Sequence, residues 1–139
     1  MKNILIVNAN YYKEISKKLV ISAQKKLIYK RYKVSIINIP GIYEIPIAIR
    51  KNINKFNGFV ALGCVIKGET PHFEIISKAT INAIMDLSVK FKKPIGNGII
   101  TCVNKKQALE RADPTKRNKG GEAARAVLSV LGILKNESQ

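Results

Sequence analysis

The residues from which metal and redox centres are built are scarce in this chain. Among 139 residues there are one histidine and two cysteines, and Cys64 and Cys102 have neither CxxC spacing nor a neighbouring histidine. That arrangement offers neither a zinc site nor a thioredoxin-like redox motif. Both cysteines are expected to be reduced and buried. A thiolate nucleophile at Cys64 is the alternative, although no activating group stands beside it in the sequence. Long hydrophobic runs are missing as well. The longest, such as "FVALGCVI" (59–66), fall far short of the roughly 20 residues that cross a bilayer, and the N-terminus lacks the apolar core and cleavage site of a signal peptide. A cytoplasmic protein with no membrane contact is expected. No Pro/Gly/Ser-rich linker and no internal repeat interrupts the sequence, so residues 1–139 are expected to form one domain around one core.

Negative charge is also sparse: nine acidic residues face 25 basic ones, a net charge of +16. This balance makes nucleic acid or an acidic membrane the first rival partner. The distribution argues against both. The lysines are spread over "KEISKKLVISAQKKLIYKRYK", "RKNINK", "KFKK" and "NKK", without an RNA-binding aromatic signature or a single long basic block. Solvated helix faces explain them more simply, and no nucleic-acid partner is expected.

Apolar residues, at 46% of the chain, are plentiful enough for a core. "NILIVN" (3–8) and "GFVALGCVI" (58–66) are nearly continuous apolar runs, the pattern of parallel strands buried on both faces. "KVSIINI" (33–39) and "PIGNGIITCV" (94–103) read as two further strands. Helical periods lie between them: Ile15, Leu19, Ala23 and Leu27 recur every four residues, and Phe73, Ile76, Thr80, Ile84, Leu87 and Phe91 every three or four. A helix opened by Asn104 with Gln107 three residues on, as in a capping box, should stop before Pro114. Another should bury Ala123, Ala126, Val127, Val130, Leu131 and Leu134. Alternation of strand and helix predicts an α/β three-layer αβα sandwich on a parallel four-stranded sheet. Ligands then belong beyond the carboxyl ends of the strands.

The chemically unusual loops all follow a strand: "NANYY", "PGIYE" and "KGETPH". "GCVIKG" (63–68) begins like a phosphate-binding P-loop, but Glu69 stands where the lysine should be, which rules out a nucleotide P-loop. What remains is an anion site: Gly68 admits close backbone approach, Thr70 can cap the next helix, and Pro71 suits its first turn. His72 would stand beside that site, where an imidazole can move protons near neutral pH; a solvated or core histidine is the alternative. Arg111 and Lys119 flank "ADPTKRN" and could clamp a dianion, or could be two of many surface cations. Tyr11 could stack on a ring or simply pack, and Glu44 could bind hydroxyls or start a helix.

Together "PGIYEIP" (40–46), "GCVIKGETPHFE" (63–74) and "QALERADPTKRNKGGEAA" (107–124) resemble the lumazine synthase family, in order and at matching separations, over about residues 4–134. The resemblance implies a flavodoxin-like subunit that condenses 5-amino-6-(D-ribitylamino)uracil with 3,4-dihydroxy-2-butanone 4-phosphate, without metal or organic cofactor. It implies that Tyr11 stacks on the pyrimidine, that Ile42, Tyr43 and Glu44 hold the ribityl chain, and that Val65 and Ile66 line the ring edge. By the same resemblance Gly68, Glu69 and Thr70 cradle phosphate, His72 transfers protons, Arg111 and Lys119 bind phosphate, and Asn97 reaches the pyrimidine from a neighbouring subunit. The family commonly carries Arg-Phe where this chain reads Asn10-Tyr11, and arginine where Lys67 stands. Its sites lie between subunits of a five-membered ring, so a homopentamer is expected, with two stacked pentamers next. A 60-subunit shell is not favoured, because the first strand starts at about residue 3 and leaves no tail to pair with a neighbour's sheet. A basic RNA-binding protein and a lumazine-binding module without catalysis are the rival classes.

Overall fold

Two strands with no polar face, Ile4–Val7 and Phe59–Leu62, are buried throughout and form the centre of the molecule. The computed structural model describes residues 2–137, with side chains described for residues 2–133. Four strands, β1 (Asn3–Ala9), β2 (Lys33–Ile39), β3 (Gly58–Ile66) and β4 (Ile95–Cys102), pair in parallel in the order β2-β1-β3-β4. The central pair β1 and β3 is covered on both faces, which explains the continuous apolar runs, whereas edge strand β2 has only half-buried and exposed positions. This is the flavodoxin-like three-layer α/β arrangement expected of the alternating sequence.

Helices α1 (Lys13–Tyr29) and α5 (Lys119–Glu137) cover one face of the sheet, and α2 (Ile45–Lys51) and α3 (His72–Phe91) the other. The short α4 (Lys105–Ala112) joins the α1/α5 layer at the carboxyl end of β4. The every-fourth stripe of α1 is fully sequestered, with Ile15, Leu19, Ala23 and Leu27 at most 1% exposed. Each of the larger ones contributes about 1.5–3 kcal/mol of transfer free energy.

Several local expectations need correction. The stripe of α5 runs through Ala123, Ala124, Val127 and Leu131, while Ala126 and Val130 face outward; Leu134 lies outside the residues whose side chains are described. The cause is Gly120, which presses against the backbone of Leu19 so closely that a Cβ there would collide with its carbonyl. That contact fixes the rotation of α5 about its axis. In α4 the amide of Gln107 donates to Asn104 Oδ1 at 2.8 Å, as in a capping box, but Gln107 Oε1 accepts from Val103 N–H at 2.9 Å rather than from Asn104. Thr70 does not cap α3. The helix begins at His72 with Pro71 in the cap position and no capping side chain, and this leaves Thr70 one residue too early to reach the first free amides. A 3₁₀ turn at Ile42–Glu44 leads into α2, so Glu44 does stand at a helix start; it closes the turn by accepting from Gly41 N–H at 3.0 Å.

Candidate active site

The strand order reverses between β1 and β3, and a crevice opens beyond their carboxyl ends at that switch point. Its volume is about 380 Å³. Tyr11, Ile42, Tyr43, Val65, Ile66 and His72 all line it. Tyr11 is 74% exposed and meets Tyr12 edge-on, with ring centroids 4.9 Å apart, so one aromatic face is free for a planar ligand. Ile42 is buried below because Gly63 leaves room for it: a Cβ at Gly63 would lie 2.7 Å from the Ile42 methyl. His72, the first residue of α3, is exposed at the rim. The loop of Gly68, Glu69 and Thr70 leads into it and is exposed, lining neither of the two cavities described here. A Cβ at Gly68 would touch nothing within 4 Å, so protein packing does not require glycine there. Glu44 sits one groove away, beside Tyr43, with one carboxylate oxygen committed to Gly41.

A second cavity, of about 350 Å³, lies at edge strand β4 and collects Asn97, Thr101, Arg111, Arg117, Lys119 and Glu122. The guanidinium of Arg111 is anchored by donating Nη1 to the Thr101 carbonyl at 2.6 Å, with Cys102 Sγ 3.8 Å away. Lys119 Nζ is 3.3 Å from Glu122 Oε2. Asn97 Oδ1 accepts from Ile99 N–H at 3.0 Å and so occupies an amide of its own edge strand. The connection between α4 and α5 is held in shape by Asp113, whose Oδ1 accepts from the Thr115 amide at 2.8 Å and hydroxyl at 2.7 Å. Those two bonds hold the Asp113 carboxyl below the usual carboxylate range. Asn118 turns the chain with φ 47° and accepts from Gly121 N–H at 3.2 Å, which starts α5.

Both cysteines are buried and free, on adjacent strands. Burial first, and then the neighbouring Cys102, push the Cys64 thiol up to about 12. Burial also raises Cys102, against the opposing pull of Arg111. A neutral, desolvated thiol is a poor nucleophile, so the thiolate alternative for Cys64 loses its basis. Among the described residues no three His, Cys, Asp or Glu side chains gather as metal ligands would, and no helix is long and apolar enough to cross a membrane.

The two cavities share no lining residue, although Val65 of the first pairs in register with Thr101 of the second. One is aromatic and apolar with an imidazole at its rim; the other is cationic. Tyr12, Cys64 and Ile76 in the first, and Thr101, Arg117 and Glu122 in the second, were not singled out from the sequence as binding residues. The adjacent tyrosine of "YY" was the one available signal for Tyr12, and Arg117 is hidden among 24 other basic residues.

The fold defines a flavodoxin-like α/β protein with one cleft beyond the carboxyl ends of its central strands and another along edge strand β4. The sequence model of the 6,7-dimethyl-8-ribityllumazine synthase family matches residues 1–135. Proteins of that name from Bartonella tribocorum, Methylocella silvestris and Erythrobacter litoralis are 44%, 44% and 42% identical to this chain. The alignments cover 96%, 92% and 96% of the chain and 90%, 82% and 96% of those relatives. The chain belongs to the 6,7-dimethyl-8-ribityllumazine synthase family, a family of transferases in riboflavin biosynthesis.

Proposed function

We infer that this chain, as a single domain in the cytoplasm, condenses 5-amino-6-(D-ribitylamino)uracil with 3,4-dihydroxy-2-butanone 4-phosphate to give 6,7-dimethyl-8-ribityllumazine, water and inorganic phosphate. The observation that carries this is the presence in one chain of an aromatic cleft rimmed by His72 and a separate cationic cleft holding Arg111 and Lys119. The pyrimidine stacks on Tyr11 against Val65 and Ile66, and the ribityl chain runs along Ile42 and Tyr43 to the free oxygen of Glu44. Gly68, Glu69 and Thr70, with Arg111 and Lys119, receive the phosphate, and Asn97 meets the pyrimidine. One amine attacks the carbonyl and water leaves to give an imine, phosphate is eliminated and the resulting enol becomes a ketone, and the second amine closes the ring on that carbonyl with loss of a second water; His72 moves protons in these steps.

Because His72 and Arg111 line different clefts, a complete site takes His72 from one subunit and Asn97, Arg111 and Lys119 from its neighbour, as in a homopentamer. Two stacked pentamers keep that arrangement; a 60-subunit shell is not favoured. Much of the rate comes from holding two reactants together, worth about 7–11 kcal/mol where geometry is well set. His72→Ala should therefore lower kcat only about tenfold to a hundredfold, the modest end of acid–base contributions. Arg111→Ala should lower kcat/KM for the phosphate substrate by about a hundredfold through lost charge-assisted hydrogen bonds. Lumazine fluorescence and phosphate release, followed together above the uncatalysed condensation, check both. Wild-type activity in both variants would sink the two roles, and binding of the pyrimidine without turnover would make the chain a binding module.

A further inference from the structure

We propose that Arg117 captures the phosphate-bearing substrate at the mouth of the cationic cleft, a role that rests on the synthase reading and adds a residue to it. The cleft is lined by three cations, Arg111, Arg117 and Lys119, and one carboxylate, Glu122. Two of the three cations are already engaged by the protein. Arg111 donates to the Thr101 carbonyl, and Lys119 pairs with Glu122. Arg117 is exposed and, among the described residues, has no ion-pair partner. Of the three it is therefore the one whose side chain no protein group holds before a ligand arrives. With the Lys119–Glu122 pair neutral overall, Arg111 and Arg117 leave a surplus of two positive charges, which matches a phosphate monoester dianion.

The backbone around Arg117 is not a loose loop. Lys116 N–H and Asn118 N–H both donate to the Asp113 carbonyl at 3.0 Å, on either side of Arg117. Asp113 itself is locked by Thr115, and Asn118 turns into α5 in the left-handed region. The segment is thus fixed at both ends and presents a long, mobile guanidinium to the cleft. Such a group meets an incoming dianion first and hands it to the anchored Arg111; it contributes to capture and affinity more than to the bond-making steps. An exposed charge of this kind acts over about 10 Å at 0.1 M salt and is screened above that concentration.

Steady-state kinetics of the full-length Arg117→Gln and Arg117→Lys variants test this, with Arg111→Gln as the reference. For Arg117→Gln, KM for 3,4-dihydroxy-2-butanone 4-phosphate and the inhibition constant of inorganic phosphate should both rise about fivefold at low salt. Its kcat and its KM for the ribitylaminouracil should stay within twofold. Its kcat/KM should also lose part of the wild-type dependence on ionic strength, and Arg117→Lys, which keeps the charge, should restore most of that dependence. If Arg117→Gln leaves both phosphate constants unchanged while Arg111→Gln raises them, the capture role is overturned and the synthase reading stands. If neither variant changes them, the cleft is not the phosphate site, and the capture role falls together with the phosphate role of Arg111, while turnover itself keeps the synthase reading. A fall in kcat alone would also overturn the proposal, since it would place Arg117 in chemistry or structure instead of capture.

Discussion

Cys64 forms the floor of the aromatic cleft yet is only 7% exposed, and its thiol is pushed up to about 12 by burial and by Cys102. A raised thiol pKa means that the neutral form is favoured in the folded protein. Its contribution to stability is then fully present below the ordinary thiol value of ~8.5 and fades as pH climbs from there towards about 12. Iodoacetamide should label both cysteines slowly in native protein at pH 8, at rates well under those of the unfolded chain. Rapid native labelling of Cys64 would reopen its case as a nucleophile. At this scale the cleft facing His72 was legible because its residues follow strand ends in short, unusual loops. The place of Arg117 at the cationic cleft was not, since one arginine in a chain this basic carries no local mark, and only the fold of the Asp113–Asn118 turn brings it there. Glu44 shows the reverse limit: its identity was readable, but not that Gly41 would claim one of its oxygens.

The contact of α1 with α5 depends on the missing side chain of Gly120, which lies on the Leu19 backbone. Gly120→Ala should push the helices apart and cost about 1–3 kcal/mol as overpacking, read as a lower urea midpoint. Because Lys119 directly precedes Gly120, the same variant should weaken phosphate inhibition; unchanged stability would show that the helix shifts without strain. The four strands and α1 were readable from periodicity, as each has one dominant pattern. Helix α5 was misread by rotation, because small residues at Gly120, Ala123, Ala124 and Ala126 carry little hydrophobic contrast and a backbone contact decides which of them face inward. Helix α2 was readable only as one of two alternatives at Glu44, because "IPIAIRK" holds a proline and only seven residues, too few for a helical period to stand out.

Across the whole molecule, apolar side chains stay open on the α2/α3 side, with Tyr43 73%, Ile47 60%, Ile75 64%, Met85 61% and Val89 71% exposed. Apolar side chains of this kind are what a contact between subunits would cover, and they fit the ring assembly inferred above. Light scattering should give a particle about five or ten times the mass of the 15.5 kDa chain, and a shell-sized particle would overturn that assembly. The sequence announced neither surface nor assembly except by resemblance, because exposure of an apolar residue depends on which way its helix is turned.

The separation of the aromatic and cationic clefts within one chain also bears on how activity varies with enzyme concentration. On the proposed arrangement a lone subunit carries both half-sites without joining them, so specific activity should fall when the enzyme is diluted below its assembly constant, and recover on reconcentration. The same division lets two impaired proteins complement each other. His72→Ala and Arg111→Ala, unfolded together and refolded as mixed rings, should show turnover above that of either variant alone, at those junctions where the intact halves meet.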